Sequence, residues 1–250
     1  MQDPSSTAKA MAAKDVTDRG VARGTGAAKS ETGGTVIIDT GCANLSSVRF
    51  AFERLGAAVT VTDEPALIKA ATRVVLPGVG SAATAMAALE AKGLVDLIQG
   101  LTQPVLGVCL GMQLLSLLSK ERGGRSEDCR CLGLIPTQIE ALADKGLPLP
   151  HMGWNQIVPT AHPLFAGIAP GSYVYFVHSY RAPISAFTLA SSEYGETFSA
   201  AIGKDNFMGV QFHPEKSAAV GAQILANFLT MGAESSASAP ADQAAKEAKS

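Results

Sequence analysis

The sequence contains little cysteine. Its four cysteines are too sparse for the disulfide framework of a small secreted protein: Cys42, Cys109, Cys129 and Cys131. Cys129 and Cys131 lack a matching second pair, and none of the four histidines lies near them in the sequence. We therefore predict reduced thiols, a cytoplasmic protein, and no bound metal or cofactor.

Long apolar runs and a large excess of either charge are also missing. No stretch approaches the roughly 18 uninterrupted apolar residues that a membrane helix needs. The formal net charge is -2, which gives no electrostatic reason to expect nucleic acid or an anionic membrane as a partner. We expect neither.

Both ends of the chain differ in composition from its middle. They are rich in alanine, serine and lysine without apolar periodicity, and such segments bury too little surface to offset the entropy of ordering. The N-terminal stretch also lacks the apolar segment of a secretory signal. We predict a disordered extension over residues 1–34, one folded domain over 35–231 and a disordered tail over 232–250.

Strands and helices alternate in the first half of this domain, and strands dominate the second. The first half predicts strands at 35–39, 59–61, 74–76 and 105–108, with helices at 44–55 and 82–89. The second half predicts strands at 173–177, 187–190, 198–202 and 208–212, then a helix at 218–231. We expect Pro77 and Gly78 to end the third strand. The pattern predicts an α/β fold with a mostly parallel central sheet flanked by helices and a strand-rich, partly antiparallel C-terminal section.

The segment Gly107-Val-Cys109-Leu-Gly111 lies between an apolar strand and a helical stretch. A tight strand-to-helix turn of this form presents one side chain at the edge of the sheet, and the glycines leave room for neighbouring backbone. Cys109 is therefore the candidate nucleophile. The alternative is a buried structural cysteine between two loop glycines.

A candidate base lies in Gly209-Val-Gln-Phe-His213-Pro-Glu215. Residues two apart in an extended segment point to the same side, so His213 and Glu215 can lie together. A carboxylate in that position orients the imidazole, as in a hydrolytic triad. The alternative is an ordinary surface turn.

A third candidate element is the glycine-rich segment 76–80, which follows a predicted strand. Its backbone N–H groups can bind an oxyanion. Phosphate binding competes with this interpretation, although the Gly-Lys-Ser/Thr sequence of a phosphate loop is missing. A simple turn is the third possibility.

Together these segments resemble the class I, triad-type glutamine amidotransferases over about residues 36–229. The elbow and the His-Pro-Glu sequence are shared across that family. Segments 77–80, 151–155 and 176–180 narrow the resemblance to the glutaminase subunits of imidazole glycerol phosphate synthases in histidine biosynthesis.

The resemblance implies a role for each matching residue. Cys109 would attack the side-chain amide of L-glutamine to form a thioester, His213 would carry the proton to the leaving ammonia and then activate water, and Glu215 would orient His213. The other implied roles are an oxyanion hole (Gly78, Val79, Gly80, Leu110), glutamine binding (Gln113, Glu121, His178, Ser179, Tyr180) and partner contact (Asn44, Met152, Trp154, Lys216).

The resemblance also implies a heterodimer with a (β/α)8-barrel cyclase subunit. The cyclase would receive the ammonia shielded from water and form imidazole glycerol phosphate and an aminoimidazole carboxamide ribonucleotide. Three alternatives stay open: the glutaminase subunit of another synthase, such as pyridoxal phosphate or anthranilate synthase; a cysteine peptidase or chaperone-like protein of related fold; and an inactive regulatory subunit.

Overall fold

The computed structural model describes residues 34–41, 45–122 and 126–232. The predicted extensions lie outside the described residues except for Gly34 and Gly232, so their predicted disorder stays a prediction. Asn44 and Cys42 also lie outside them.

Thirteen strands occur within the described residues. They are β1 (Thr35–Ile38), β2 (Val59–Thr62), β3 (Arg73–Gly78), β4 (Val105–Cys109), β5 (Ser116–Ser119), β6 (Cys129–Arg130), β7 (Ile135–Ala141), β8 (His151–Pro159), β9 (Ser172–His178), β10 (Tyr180–Arg181), β11 (Thr188–Glu193), β12 (Thr197–Lys204) and β13 (Phe207–Val210). The α-helices of the same part of the chain are α1 (Leu45–Arg54), α2 (Pro65–Ala70), α3 (Ala82–Ala91), α4 (Val95–Gln99), α5 (Leu110–Leu114) and α6 (Ala218–Thr230).

Nine of these strands form one mixed sheet in the order β2-β1-β3-β4-β13-β12-β11-β8-β9. The first five strands of that order are parallel, and the other four join the sheet by antiparallel pairing. The continuous apolar sequences of β1, β3 and β13 fit strands that are covered on both faces. The predicted fold class is confirmed.

Helices cover both faces of the parallel strands. One apolar cluster joins alternate residues of β3, such as Val74 and Leu76, to α2, α3, α4 and α5. The other joins Val75, on the opposite face, to α1 and α6 through residues such as Phe52 and Phe228. Since helices lie on the faces, the carboxyl ends of the parallel strands are left for the loops that carry chemistry.

A second sheet was not predicted. It has four strands within the described part of the chain, in the order β10-β7-β5-β6. Two of them, β6 and β10, have two residues each, which is too short for a periodic signal.

The predicted end of the third strand at Pro77 is wrong. β3 continues through Pro77, which pairs with Val108, to Gly78, which pairs with Cys109. Pairing of β3 with β1 ends at Val75, so the missing N–H of Pro77 falls beyond the ladder on that side. The extra residues of β3 place the glycine-rich segment directly beside the nucleophile candidate.

Candidate active site

An open cavity of about 620 Å³ lies at the carboxyl ends of the parallel strands. Most of the candidate residues line it: Val79, Gly80, Cys109, Leu110, Gln113, Glu121, His178, Ser179, Tyr180, His213 and Lys216. Pro150 and Val177 complete the wall. The sequence candidates therefore come from distant segments to one site.

Cys109 occupies a strained turn between β4 and α5. Its φ of 53° lies in the left-handed region, which a residue other than glycine rarely adopts. A Cβ on Gly107 would lie 2.6 Å from the carbonyl oxygen of Gly111, and a Cβ on Gly111 would lie 1.8 Å from the carbonyl oxygen of Leu76. Both glycines are therefore required for α5 to approach the sheet, and the nucleophile elbow is present.

Replacing Gly111 by alanine is expected to lower the free energy of unfolding by several kcal/mol or to prevent folding, because the new methyl group meets rigid backbone of β3. Gly100→Ala is a suitable control, since a Cβ there lies 3.4 Å from its nearest neighbour, in ordinary contact. Urea titration of both variants measures the difference. Equal stabilities would show that the elbow does not need a glycine at this position.

His213 and Glu215 form a buried pair beside the elbow. The Nδ1 atom of His213 donates to Oε1 of Glu215 at 2.9 Å, and the two side chains are 8% and 1% exposed. This bond leaves Nε2 as the ring nitrogen available to the sulfur of Cys109. Burial alone would lower the pKa of His213, but the hydrogen bonds and charges of Cys109 and Glu215 outweigh it and raise the pKa to about 10. The imidazole is therefore protonated at neutral pH and can serve as a proton donor.

The predicted oxyanion residues surround the same sulfur. Leu110 begins α5, so its N–H has no partner four residues earlier within the helix. Val79 and Gly80 line the cavity from the end of β3. Gly78 lies deeper, paired with Cys109, where a Cβ would meet Leu110 and Gly111 at 3.0 Å. A side chain at Gly78 would therefore press on the elbow itself.

The glutamine-binding candidates include an internally bonded amide. The Nε2 atom of Gln113 donates to the carbonyl of Tyr180 at 3.1 Å and to Oε1 of Gln211 at 2.9 Å. Both N–H groups of Gln113 are thus used inside the protein. What Gln113 offers to the cavity is its Oε1 atom, which accepts hydrogen bonds.

His178 contacts the protein through both ring nitrogens. Its Nδ1 donates to the carbonyl of Tyr180 at 2.8 Å, so its Nε2 accepts from Nδ1 of His151 at 2.9 Å. The Nε2 atom of His151 then accepts from Asn155 at 3.3 Å. Burial lowers the pKa of His151 to about 4 and that of His178 to about 3, so both rings are neutral at physiological pH. His178 supports the cavity wall and has no ring nitrogen left for a ligand.

His151 and Gln211 were not predicted to have a role. Both are buried and polar, and both are hydrogen-bonded to predicted site residues. A buried polar residue close to a predicted triad is a usable signal, because such a group is normally hydrogen-bonded.

Glu121 links the cavity to α3. One carboxylate oxygen accepts from the N–H of Ala82, the first residue of α3, at 3.0 Å. Ser81 caps the same helix end through Thr84. Glu121 therefore holds the segment that directly follows the glycine-rich loop, while the residue also lines the cavity.

The predicted partner contacts lie around the cavity mouth. Met152 and Trp154 are 62% and 52% exposed on β8, which is unusual for large apolar side chains. Lys216 is exposed at the cavity, with its Nζ atom 5.9 Å from the ring centre of Tyr175. The predicted contact at Asn44 lies outside the described residues.

Metal ligands do not cluster in the described part of the chain. No group of three or more histidine, cysteine or acidic side chains there could hold a metal ion. Among the helices of residues 34–41, 45–122 and 126–232, none is long and apolar enough to cross a membrane.

Comparison with known proteins places this geometry in a family. The model of the class-I glutamine amidotransferase family matches residues 36–231. The chain is 73% identical over 197 residues to the imidazole glycerol phosphate synthase subunit HisH of Shewanella sediminis, covering 79% of this chain and 90% of that protein. It is 51% identical over 202 residues to the HisH subunit of Vibrio cholerae, covering 80% of this chain and all of that protein.

A solved structure supports the fold. A putative GMP synthase protein of Thermoplasma acidophilum superimposes with a TM-score of 0.63 at 16% identity, covering 82% of this chain and 96% of that one. From the family match and the close relatives together, the chain belongs to the class I glutamine amidotransferase family and, within it, to the HisH subunits of imidazole glycerol phosphate synthase.

Proposed function

We propose that this chain hydrolyses L-glutamine to glutamate and ammonia through Cys109, His213 and Glu215. The observation that carries the proposal is the meeting of these three residues, from two distant segments, at one open cavity. A thiol, an imidazole and an orienting carboxylate in this arrangement form the nucleophile, base and orienter of covalent hydrolysis.

In the first half of the reaction the sulfur of Cys109 attacks the side-chain amide carbon of glutamine. The negative charge that develops on the carbonyl oxygen is stabilised by backbone N–H groups from the Val79–Gly80 segment and from Leu110. The protonated His213 donates its Nε2 proton to the leaving nitrogen, so the C–N bond breaks and ammonia departs. A glutamyl thioester on Cys109 remains.

In the second half a water molecule replaces the ammonia. The imidazole of His213, now neutral, takes a proton from the water as it attacks the thioester carbon. The C–S bond breaks, glutamate leaves, and the proton on His213 restores the starting pair with Cys109. Glu215 keeps the ring in one orientation during both steps, because it holds Nδ1.

We propose a heterodimer with a (β/α)8-barrel cyclase subunit, which uses the ammonia to make imidazole glycerol phosphate and an aminoimidazole carboxamide ribonucleotide. Free ammonia is mostly protonated at neutral pH and then no longer nucleophilic, so a covered route preserves its reactivity. The exposed Met152 and Trp154 beside the cavity supply an apolar surface for that cover. A cytoplasmic location, with one domain over 35–231, fits this assignment.

Glutamate release from glutamine tests the proposal directly. We expect slow release by the isolated chain and faster release when the cyclase and its nucleotide substrate are added, because the glycine-rich loop completes the oxyanion hole in the assembled enzyme. Absence of glutamate under both conditions would refute the glutaminase assignment.

Replacing Trp154 by alanine is expected to weaken binding of the cyclase at least about tenfold, since exposed tryptophans at an interface centre contribute strongly to affinity. Isothermal titration with the purified cyclase measures the change. Leu67→Ala is the matched control, because Leu67 is a comparably exposed apolar residue on α2, which contacts β1 toward the other edge of the nine-stranded sheet. Equal losses in both variants would remove Trp154 from the docking surface.

A further inference from the structure

Gln211 directly follows β13 and is completely buried. β13 pairs with β4 in parallel, with Val210 opposite Val108, so the next residues on the two strands are Gln211 and Cys109. The main-chain N–H of Gln211 still donates to the carbonyl of Ala200 at 2.8 Å, which keeps this position in the sheet. The side chain of Gln211 is therefore held beside the nucleophile by rigid structure.

The orientation of the Gln211 amide follows from its neighbours. The carbonyl of Tyr180 can only accept, so Gln113 presents its Nε2 atom there. The same Nε2 atom lies 2.9 Å from Gln211, so Gln211 must present its Oε1 atom to Gln113. The Nε2 atom of Gln211 then points to the sulfur of Cys109, at a distance of 3.7 Å. A flipped amide would place two acceptors or two donors against each other.

The sulfur has a different partner when it carries its proton. The thiol of Cys109 can donate to the carbonyl of Val177 at 3.9 Å. Once the proton has moved to His213, a carbonyl oxygen no longer stabilises the sulfur, because both atoms carry negative charge. The N–H of Gln211 stabilises the thiolate, since it is a donor fixed in place before the charge develops.

We propose that Gln211 is a further catalytic residue, whose amide donates a hydrogen bond to the Cys109 thiolate and holds it for attack. This inference rests on the proposed function. Gln211 is absent from the cavity wall and both of its amide atoms are engaged by the protein. Its contribution therefore falls on the reactivity of the sulfur, and it does not bind glutamine.

Gln211→Met tests the proposal, because methionine has a similar size and shape but no N–H. We expect the thiolate absorbance of Cys109 at neutral pH, taken as the difference from Cys109→Ser, to fall clearly below that of the native chain. We also expect kcat for glutamine hydrolysis by the complex to fall about tenfold or more. An unchanged thiolate absorbance would overturn the proposal, whatever happens to kcat.

Gln211→Glu is the second variant and carries the test if the methionine variant does not fold. It keeps an acceptor for Gln113 and replaces the N–H that faces the sulfur by an oxygen, so thiolate absorbance should fall here too. Asn227→Leu is the control, since Asn227 is a buried amide bonded to the carbonyls of Leu164 and Ala166. It should lower the melting temperature without changing thiolate absorbance. The absorbance needs no glutamine, so it is informative even if no glutaminase activity is found.

Discussion

Replacing Cys109 by alanine is expected to abolish glutamine-dependent turnover by the complex with the cyclase. The thioester cannot form without the sulfur, and serine at this position is a much weaker nucleophile at neutral pH. Added ammonium salt should still support product formation, because the cyclase then receives its ammonia from solution. The measurement is the rate of nucleotide product with glutamine or with ammonium salt as the nitrogen source.

A matched cysteine separates the nucleophile from a general effect of thiol loss. Cys131 is half-buried, and burial raises the pKa of its thiol to about 12, so it stays protonated and unreactive. Cys131→Ser should leave glutamine-dependent turnover close to the native rate. If Cys109→Ala also lost the ammonia-dependent reaction, the proposed division of labour between the subunits would be wrong.

The elbow could be predicted because its determinants are local. Gly107 and Gly111 flank Cys109 within five residues, and each glycine is needed for a steric reason that one turn explains. His213 and Glu215 are also close in sequence, so their pairing follows from the alternation of an extended chain. Their meeting with Cys109 depends on β4 lying beside β13, which is a contact between distant segments that the family resemblance supplied.

The hydrogen-bond partners behind the triad could not be predicted. Gln113 meets Gln211, and His151 meets His178, across large separations in sequence. Neither pair has a periodic or spacing signal, because each depends on which strands become neighbours. The resemblance placed Gln113 and His178 among the glutamine-binding residues. The described geometry adds that their nitrogen atoms are engaged inside the protein, which limits what each can offer to glutamine.

Short strands were the other gap in the prediction. The four-stranded sheet includes strands of two residues, and they depend on pairing with β5 and β7 for their existence. β8 was predicted only as a sequence motif, yet nine residues of it form the edge region that exposes Met152 and Trp154. Its alternation is weak because both of its ends are polar or exposed, and tertiary pairing with β9 decides its structure.

Replacing His213 by asparagine is expected to lower kcat for glutamine hydrolysis by several orders of magnitude, about 10⁴-fold or more. The asparagine amide lies near the position of Nδ1 and can still donate to Glu215, so the buried carboxylate keeps a donor. What is lost is the Nε2 atom, which delivers the proton to ammonia and later accepts one from water. KM should change little, because the imidazole is engaged with Cys109 and Glu215.

His162→Asn is the matched control for this variant. His162 accepts from the N–H of Leu164 at the start of a short 3-10 helix, and an asparagine oxygen can accept in the same place. Steady-state kinetics of both variants, with melting temperatures, separates catalysis from folding. A His213→Asn enzyme with a raised KM and the native kcat would mean that another group moves the proton, and the triad would then need a different base.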